Sequence, residues 1–441
     1  MRPPAPLQSR PRCLRARRRT RSHRIPRWSG CRSVGSWYRL RSGGSRAGRN
    51  GPAAREEEAA LCSANGAARA WERAVAMPIT RESTQMADTH RILPIDGYGI
   101  GHIDQRETPE LRPGYVLVRN RASFFSQGTQ LRSAFEDRKH PRPDAPRRPL
   151  GYQCAGDIVQ LGVGVTGREI GQRVACMSGI ERFPGEGAYH ADYVVVGCGL
   201  TEPIPDSVSY DWAASAHLAA TAMHAVRRAE LQLSEDVLVA GLGVVGQYCV
   251  RLAHLSGARV VGWDLFPARR RAAELGGAGL TITPGEDNLV APTREFTRGR
   301  GLDAAFIAFG GDGDETFQQI LDCMKVTPDT HQMGRIVIVG GFSFRHGWAA
   351  SMGNVDVRSA ARTGPGFLDP YYEQGGYYPP VFTQWSTQRN LEESMRLMSE
   401  GRINVDEIIS HRFPMSEAPA AIDQIVNNTA ETAGVVIDHD A

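Results

Sequence analysis

The stretch Asp236-Val-Leu-Val-Ala-Gly-Leu-Gly-Val-Val-Gly-Gln247 decides the fold. Val237 to Ala240 is an apolar run of the kind that forms a buried strand, and it breaks at Gly241. Gly241, Gly243 and Gly246 then complete a G-x-G-x-x-G ahead of a helical pattern carrying Val250, Leu252, Ala253 and Leu255. The first glycine permits a tight strand-to-helix turn, the second lets backbone approach a pyrophosphate, and the third lets helix pack on strand. The helix N-terminus adds free N–H groups and the positive end of its dipole. Gly241, Gly243, Val244, Val245 and Gly246 are therefore the predicted cradle of a dinucleotide.

A glycine turn alone is a weak signal, but its surroundings agree. A second strand pattern, Arg259-Val-Val-Gly-Trp263, ends at Asp264, which lies 18 residues past Gly246. That is close to the spacing of about 20 at which an acid meets the adenosine ribose hydroxyls. A carboxylate there repels a 2′-phosphate, so the pattern favours NAD. Arg269, Arg270 and Arg271 follow closely and leave NADP open, unless they form only a solvated helix face.

The chain of 441 residues has a formal charge of +4, which conceals an uneven distribution. Residues 1–55 hold sixteen arginines and no acid, so the remainder carries 36 bases against 48 acids, a net −12. An acidic body argues against a nucleic-acid partner. Residues 1–86 lack apolar periodicity and are expected to be a disordered, Arg-rich extension. They read as a transit peptide, as a basic arm for an anionic partner, or as upstream sequence ahead of a start at Met77 or Met86. The third reading suits a chain whose only lysines are Lys139 and Lys325, as in GC-rich coding sequence. No apolar run is long enough to span a bilayer. The eight cysteines are scattered without a C-x-x-C, which fits a reducing cytoplasm and gives no thiolate metal site.

From about residue 87 to 215 the chain reads as a β-rich unit. Short strand patterns at Tyr115–Val118, Gly151–Gly162, Arg173–Ala175 and Tyr193–Val196 are separated by turn residues, with a Pro-rich loop expected over Phe135–Pro149. Beyond Pro205 the period changes. Trp212, Ala216, Ala219, Ala220 and Met223 recur at helical spacing, and strands then alternate with helices from 216 to 364 as in a doubly wound parallel sheet. Residues 365–441 open on an irregular Gly/Pro/Tyr-rich segment, continue with two helical patterns, and end on Gly434–Ile437.

This order, together with Gly151-Tyr-Gln-Cys-Ala-Gly-Asp-Ile-Val-Gln-Leu-Gly162, Gly171-Gln-Arg-Val174 and Ala219-Ala-Thr-Ala222, resembles the medium-chain dehydrogenase/reductase superfamily. The resemblance covers most of residues 90–441. It implies an α/β protein in which a barrel-like, GroES-like catalytic domain precedes a Rossmann doubly wound sheet, and residues 365–441 return to the catalytic domain. Zinc-dependent members take metal from a cysteine, from the histidine and glutamate of a G-H-E, and from a further ligand ahead of the Rossmann unit. Here Gln127, Tyr152 and Gln153 stand at the first three places and His217 near the last. Neither a phenol nor a carboxamide is a good zinc ligand, so no metal site is expected. The four-cysteine lobe of structural zinc is missing from 177–188. The chain is most similar to a zinc-less branch that includes bacteriochlorophyllide a dehydrogenase and the dehydrogenase half of bi-domain oxidoreductases. Ser126-Gln-Gly-Thr-Gln130, His190-Ala-Asp-Tyr193, Gly364-Pro-Gly-Phe-Leu-Asp-Pro-Tyr-Tyr372, Trp385 and Gln388-Arg-Asn390 carry that likeness.

Without zinc, the electrophile must be a hydrogen-bond donor. Tyr152, His190, His217, Tyr371 and Tyr372 are the titratable candidates, and Tyr152 with His217 is the chosen proton-handling pair. Ser126 and Thr221 are candidates to hydrogen-bond substrate or cofactor, with Thr221 assigned to the cofactor. The expected reaction interconverts a secondary alcohol and a ketone on a small molecule, with NAD as cofactor and NADP possible. Alternatives are an NAD(P)H-dependent quinone or enoyl double-bond reductase and an NAD(H)-binding sensor or structural protein. A cytoplasmic homodimer with no membrane or nucleic-acid partner is expected.

Overall fold

The computed structural model describes residues 88–178, 189–285 and 288–440. The extension 1–86 and most of the 177–188 segment therefore lie outside the described residues, as do the expectations placed on them.

The apolar run Val237 to Ala240 lies in the strand Asp236–Ala240, all five residues buried. It lies inside a sheet ordered Ala278–Ile282, Arg259–Trp263, Asp236–Ala240, Ala304–Ile307, Gln332–Ile338, with Asn354–Ser359 beyond. These neighbours pair in parallel; only the two-residue strand Lys325–Val326 runs antiparallel. Both faces of such a sheet are covered, which is why its strands read as continuous apolar runs. Alternate residues feed two cores. Val237, Val239, Val260, Ala304 and Phe306 face one cluster, and Leu238, Ala240, Val261, Trp263, Ala305 and Ile307 the other.

The β-rich unit is organised on Tyr115–Phe124, a ten-residue strand longer than the Tyr115–Val118 seen in the sequence. It pairs antiparallel with Gln153–Leu161, Tyr193–Gly197 and, from the far end of the chain, Gly434–Asp438. That last pairing, joined by Ile409–Pro414, returns the C-terminal segment to the first sheet. The strand continues through Arg119-Asn-Arg121 because its polar donors find acceptors. Buried Asn120 donates to the carbonyls of Tyr189 and Ala191, and Arg121 Nε pairs with Asp157 at 2.7 Å.

The loop expected over Phe135–Pro149 needs correction. Arg132–Lys139 is a helix, and Arg148–Pro149 a short strand. Buried Asp137 anchors the region by accepting from Arg142 Nε at 2.7 Å and from Arg148. The Arg142 bond and the Arg148 guanidinium hold its carboxyl below the usual range. The Gly/Pro/Tyr-rich segment after residue 364 also contains a helical turn, Pro370–Glu373, whose N-terminus Asp369 caps by accepting from the Tyr371 N–H. No helix among the described residues is long and apolar enough to cross a membrane.

Candidate active site

The three glycines of the turn differ in what they tolerate. Gly241 has φ +87°, in the left-handed region where a Cβ is disfavoured. A Cβ on Gly246 would sit 1.9 Å from the Gly241 carbonyl oxygen, so helix and strand are in direct backbone contact there. A Cβ on Gly243 would meet nothing within 4 Å. That open space faces the first turn of Val244–Leu255, whose N-terminus no side chain caps. Uncapped N–H groups beside free space fit a diphosphate, and Val244 and Val245 follow directly from that cradle.

Asp264 closes the neighbouring strand at 8% exposure. Its Oδ2 accepts from the Leu242 N–H of the glycine turn at 2.7 Å, and its Oδ1 from the Phe266 N–H at 2.9 Å. Each carboxylate oxygen keeps a second lone pair for a ribose hydroxyl. Of the three arginines, Arg271 is exposed and Arg270 bonds the carbonyls of Asp264 and Leu265. Arg269 does not lie on a solvated face. It reaches Gln127 Oε1 at 3.1 Å and the carbonyls of Thr429 and Thr432 at 3.2 Å, joining the Rossmann helix to the β-rich unit beside the glycine turn. Nothing in the sequence signalled that reach.

Tyr152 and His217 come together. Gly151, with φ +103°, turns the chain so tightly that a Cβ would strike the His190 backbone nitrogen at 2.3 Å, and Tyr152 follows at the head of Gln153–Leu161. His217 lies in the first turn of Ala216–Ala229. Their ring centroids are 4.8 Å apart in an edge-to-face arrangement, and the Phe367 ring centroid lies 5.8 Å from that of His217. Burial pushes the Tyr152 phenol up to about 12, against hydrogen bonds with Ser126 and Thr129 and the charge of Arg362. Burial brings the His217 imidazole down to about 4, outweighing the Tyr152 main chain, with Arg362 acting in the same direction as burial. Both rings are thus neutral near pH 7. The phenol holds a proton to donate, and the His217 Nδ1 is buried without a partner.

Arg362 was not singled out in the sequence. It is exposed, lies 4.7 Å from the Phe367 ring centroid, and holds a left-handed φ of +52°. Thr221 directs its hydroxyl to the His217 carbonyl at 2.8 Å, leaving lone pairs but no free proton. His190 stands in a different arrangement. It is fully buried, with Nδ1 2.7 Å from Ser123 Oγ and Nε2 2.8 Å from Gln130 Oε1. Ser123 continues to His439 at 2.9 Å, which approaches Asp192 at 3.4 Å. Both ring nitrogens of His190 are satisfied, so it serves the catalytic sheet as a structural link. Tyr371 is exposed and Tyr372 is buried against a separate cavity, so neither joins Tyr152.

A family profile described as zinc-binding dehydrogenase matches residues 244–364. The (R,R)-butanediol dehydrogenase of Bacillus subtilis is 29% identical over 235 residues, covering 47% of this chain and 67% of the relative. The L-galactonate-5-dehydrogenase of Escherichia coli is 28% identical over 311 residues, 66% of this chain and 83% of the relative. Galactitol-1-phosphate dehydrogenase from Escherichia coli superposes with TM-score 0.63 at 19% identity, over 79% of this chain and all of that structure. The chain is similar to medium-chain dehydrogenases/reductases. It is an NAD(P)-dependent oxidoreductase, with a GroES-like domain and a Rossmann domain.

The zinc in that profile's description does not suit these residues. The Gln127 amide donates to the Ala433 carbonyl and accepts from Arg269. Gln153 donates to the Phe124 carbonyl at 3.2 Å, and the Tyr152 hydroxyl is engaged by Ser126 and Thr129. Only His217 offers a good ligand atom. Among the described residues, no group of three His, Cys, Asp or Glu side chains is placed to hold a metal ion.

Proposed function

We propose that this dehydrogenase interconverts a secondary alcohol and a ketone without zinc, with NAD as the preferred cofactor. The reading is carried by one observation: an imidazole with a buried, unpartnered Nδ1 packs on a neutral phenol where zinc-dependent relatives place metal ligands. When bound, the nicotinamide supplies or accepts the hydride. Tyr152 donates its hydroxyl hydrogen to the carbonyl oxygen and so stabilises the charge that develops there. Ser126 and Thr129 keep the phenol oriented, and exposed Thr129 relays a proton from solvent to it when a ketone is reduced and back to solvent when an alcohol is oxidised. His217 Nδ1 anchors a second hydroxyl of the substrate, and Phe367 and Arg362 bound the site. Relatives named for a butanediol and a galactonate support a hydroxylated substrate of this kind. Asp264 beside the turn supports NAD over NADP. Five free cysteines among the described residues suit a reducing cytoplasm.

The test follows nicotinamide absorbance with diols, polyols and their ketones beside quinones and enones. Turnover confined to the alcohol–ketone set is expected. Turnover confined to quinones or enones identifies a double-bond reductase, and NADH binding without turnover on either set identifies a sensor.

A further inference from the structure

Arg362 stands just past the carboxyl end of the strand Asn354–Ser359, and ligands of a parallel sheet bind in the crevice at that end. Its guanidinium makes no hydrogen bond or ion pair among the described residues. Arg358 of the same strand differs, pairing with Glu230 at 3.1 Å and with Asp356 at 3.2 Å.

The fold holds Arg362 in place at a cost. Its φ of +52° is unfavourable for a residue with a long side chain, and such strain persists chiefly at functional sites. The chain is tied down on either side of it. The Ala360 N–H donates to the Ile338 carbonyl at 3.0 Å. Thr363 is buried, with its hydroxyl 3.0 Å from that of Thr387 and its carbonyl accepting from Asn390 at 2.8 Å. The guanidinium carbon then lies 4.7 Å from the Phe367 centroid, and that ring in turn lies 5.8 Å from His217. A guanidinium stacked by its face keeps its in-plane fork of N–H groups open, and the fork matches two oxygens of a carboxylate or phosphate.

The reacting centre offers no counter-charge. Among the described residues, Arg362 is the one charged side chain whose field acts on both Tyr152 and His217, and no carboxylate acts on either ring. A neutral polyol would leave this positive charge to water, whereas a polyol carrying an oxyanion neutralises it. We infer that Arg362 selects substrates bearing a carboxylate or phosphate on a carbon away from the reacting hydroxyl. This rests on the alcohol–ketone reading and narrows its substrate class.

Mannitol, mannonate and mannitol 1-phosphate share a carbon skeleton and differ in charge, so turnover of each by the full-length enzyme with NAD tests the inference. At least one anion should exceed mannitol in kcat/KM by about tenfold or more, as charge-assisted hydrogen bonds allow, and the better anion identifies the group. Arg362→Gln should remove most of that preference through KM, and Arg362→Lys should return part of it. Calorimetric binding of the same compounds to the enzyme–NADH complex reads the preference without chemistry. Equal affinity for all three, or a preference that survives in Arg362→Gln, would overturn the inference and leave the alcohol–ketone reading standing. A loss shared equally by mannitol and the anions, or matched by weaker NADH binding, would also overturn it, by placing the guanidinium against the reacting oxygen or the cofactor. Anion-selective binding lost in Arg362→Gln, with turnover confined to quinones or enones, would support the oxyanion site and refute the alcohol–ketone reading.

Discussion

Gly243→Val separates cofactor binding from folding more sharply than any other change in the turn. The Gly243 backbone has φ −65° and ψ −176°, extended geometry that valine adopts readily, and its Cβ direction is empty to 4 Å. The cost to the free protein is that of a poorer helix N-cap, about 1 kcal/mol. The cost to the complex is larger, because the branched side chain fills the space a diphosphate must enter. Two charge-assisted hydrogen bonds to helix N–H groups, at about 1.5–3 kcal/mol each, amount to roughly 3–6 kcal/mol. NADH affinity should therefore fall about 10²- to 10⁴-fold. Gly246→Ala is the control with the opposite failure. A Cβ 1.9 Å from the Gly241 oxygen cannot be accommodated, so this variant should lose stability along with binding. Fluorescence titration with NADH and urea unfolding measure the two quantities separately. A Gly243→Val protein that keeps parental affinity would refute the cradle, and one that unfolds would refute the claim of open space.

Further changes probe the rest of the site. Asp264→Ala removes an acceptor from both ribose and Leu242 N–H, so NAD affinity should drop by about tenfold or more and discrimination against NADP should relax. A parent enzyme that already prefers NADP would contradict this role for the acid. Tyr152→Phe should lower kcat by about 10²- to 10⁴-fold with NADH affinity unchanged, and an unaltered kcat would exclude the phenol as proton donor. Burial depresses His190 to about 3 and His217 to about 4, from 6.5. The unfolded chain thus takes up protons first, so the stability tied to these neutral rings is complete above pH 6.5 and lost as pH falls toward 4. At about 1.4 kcal/mol per unit, His217 alone accounts for about 3 kcal/mol at pH 4, and urea midpoints that stay flat across this window would contradict its burial as a neutral ring.

The Rossmann half was legible because its signals are local. A strand buried on both faces is apolar throughout, and the roles of Gly241 and Gly246 follow from backbone geometry alone. The helix Arg132–Lys139 was not legible, since it buries only Ala134 and Asp137 and leaves no apolar stripe. Its support comes from Arg142 and Arg148 outside the helix, where composition suggested a loop. Tyr152 and His217 could be paired from motif positions, yet the edge-to-face contact and the orphaned Nδ1 depend on how Gly151 turns the chain. Arg269 was legible only as a phosphate-attracting or solvated residue and Arg362 not at all, for a related reason. One crosses to carbonyls more than 150 residues away, and the other gains its place from a left-handed backbone that no neighbouring residue type announces.

Zinc content measured together with activity tests the proposed chemistry most directly. Gln127, Tyr152 and Gln153 replace groups that would bring charge or a strong lone pair to the metal, and one imidazole cannot supply the affinity of a full ligand set. Purified enzyme should contain far less than one zinc per chain, and a chelator should leave its rate unchanged. One zinc per chain, with activity lost on chelation and restored by metal, would contradict both the zinc-free reaction and the assignment of Tyr152 and His217.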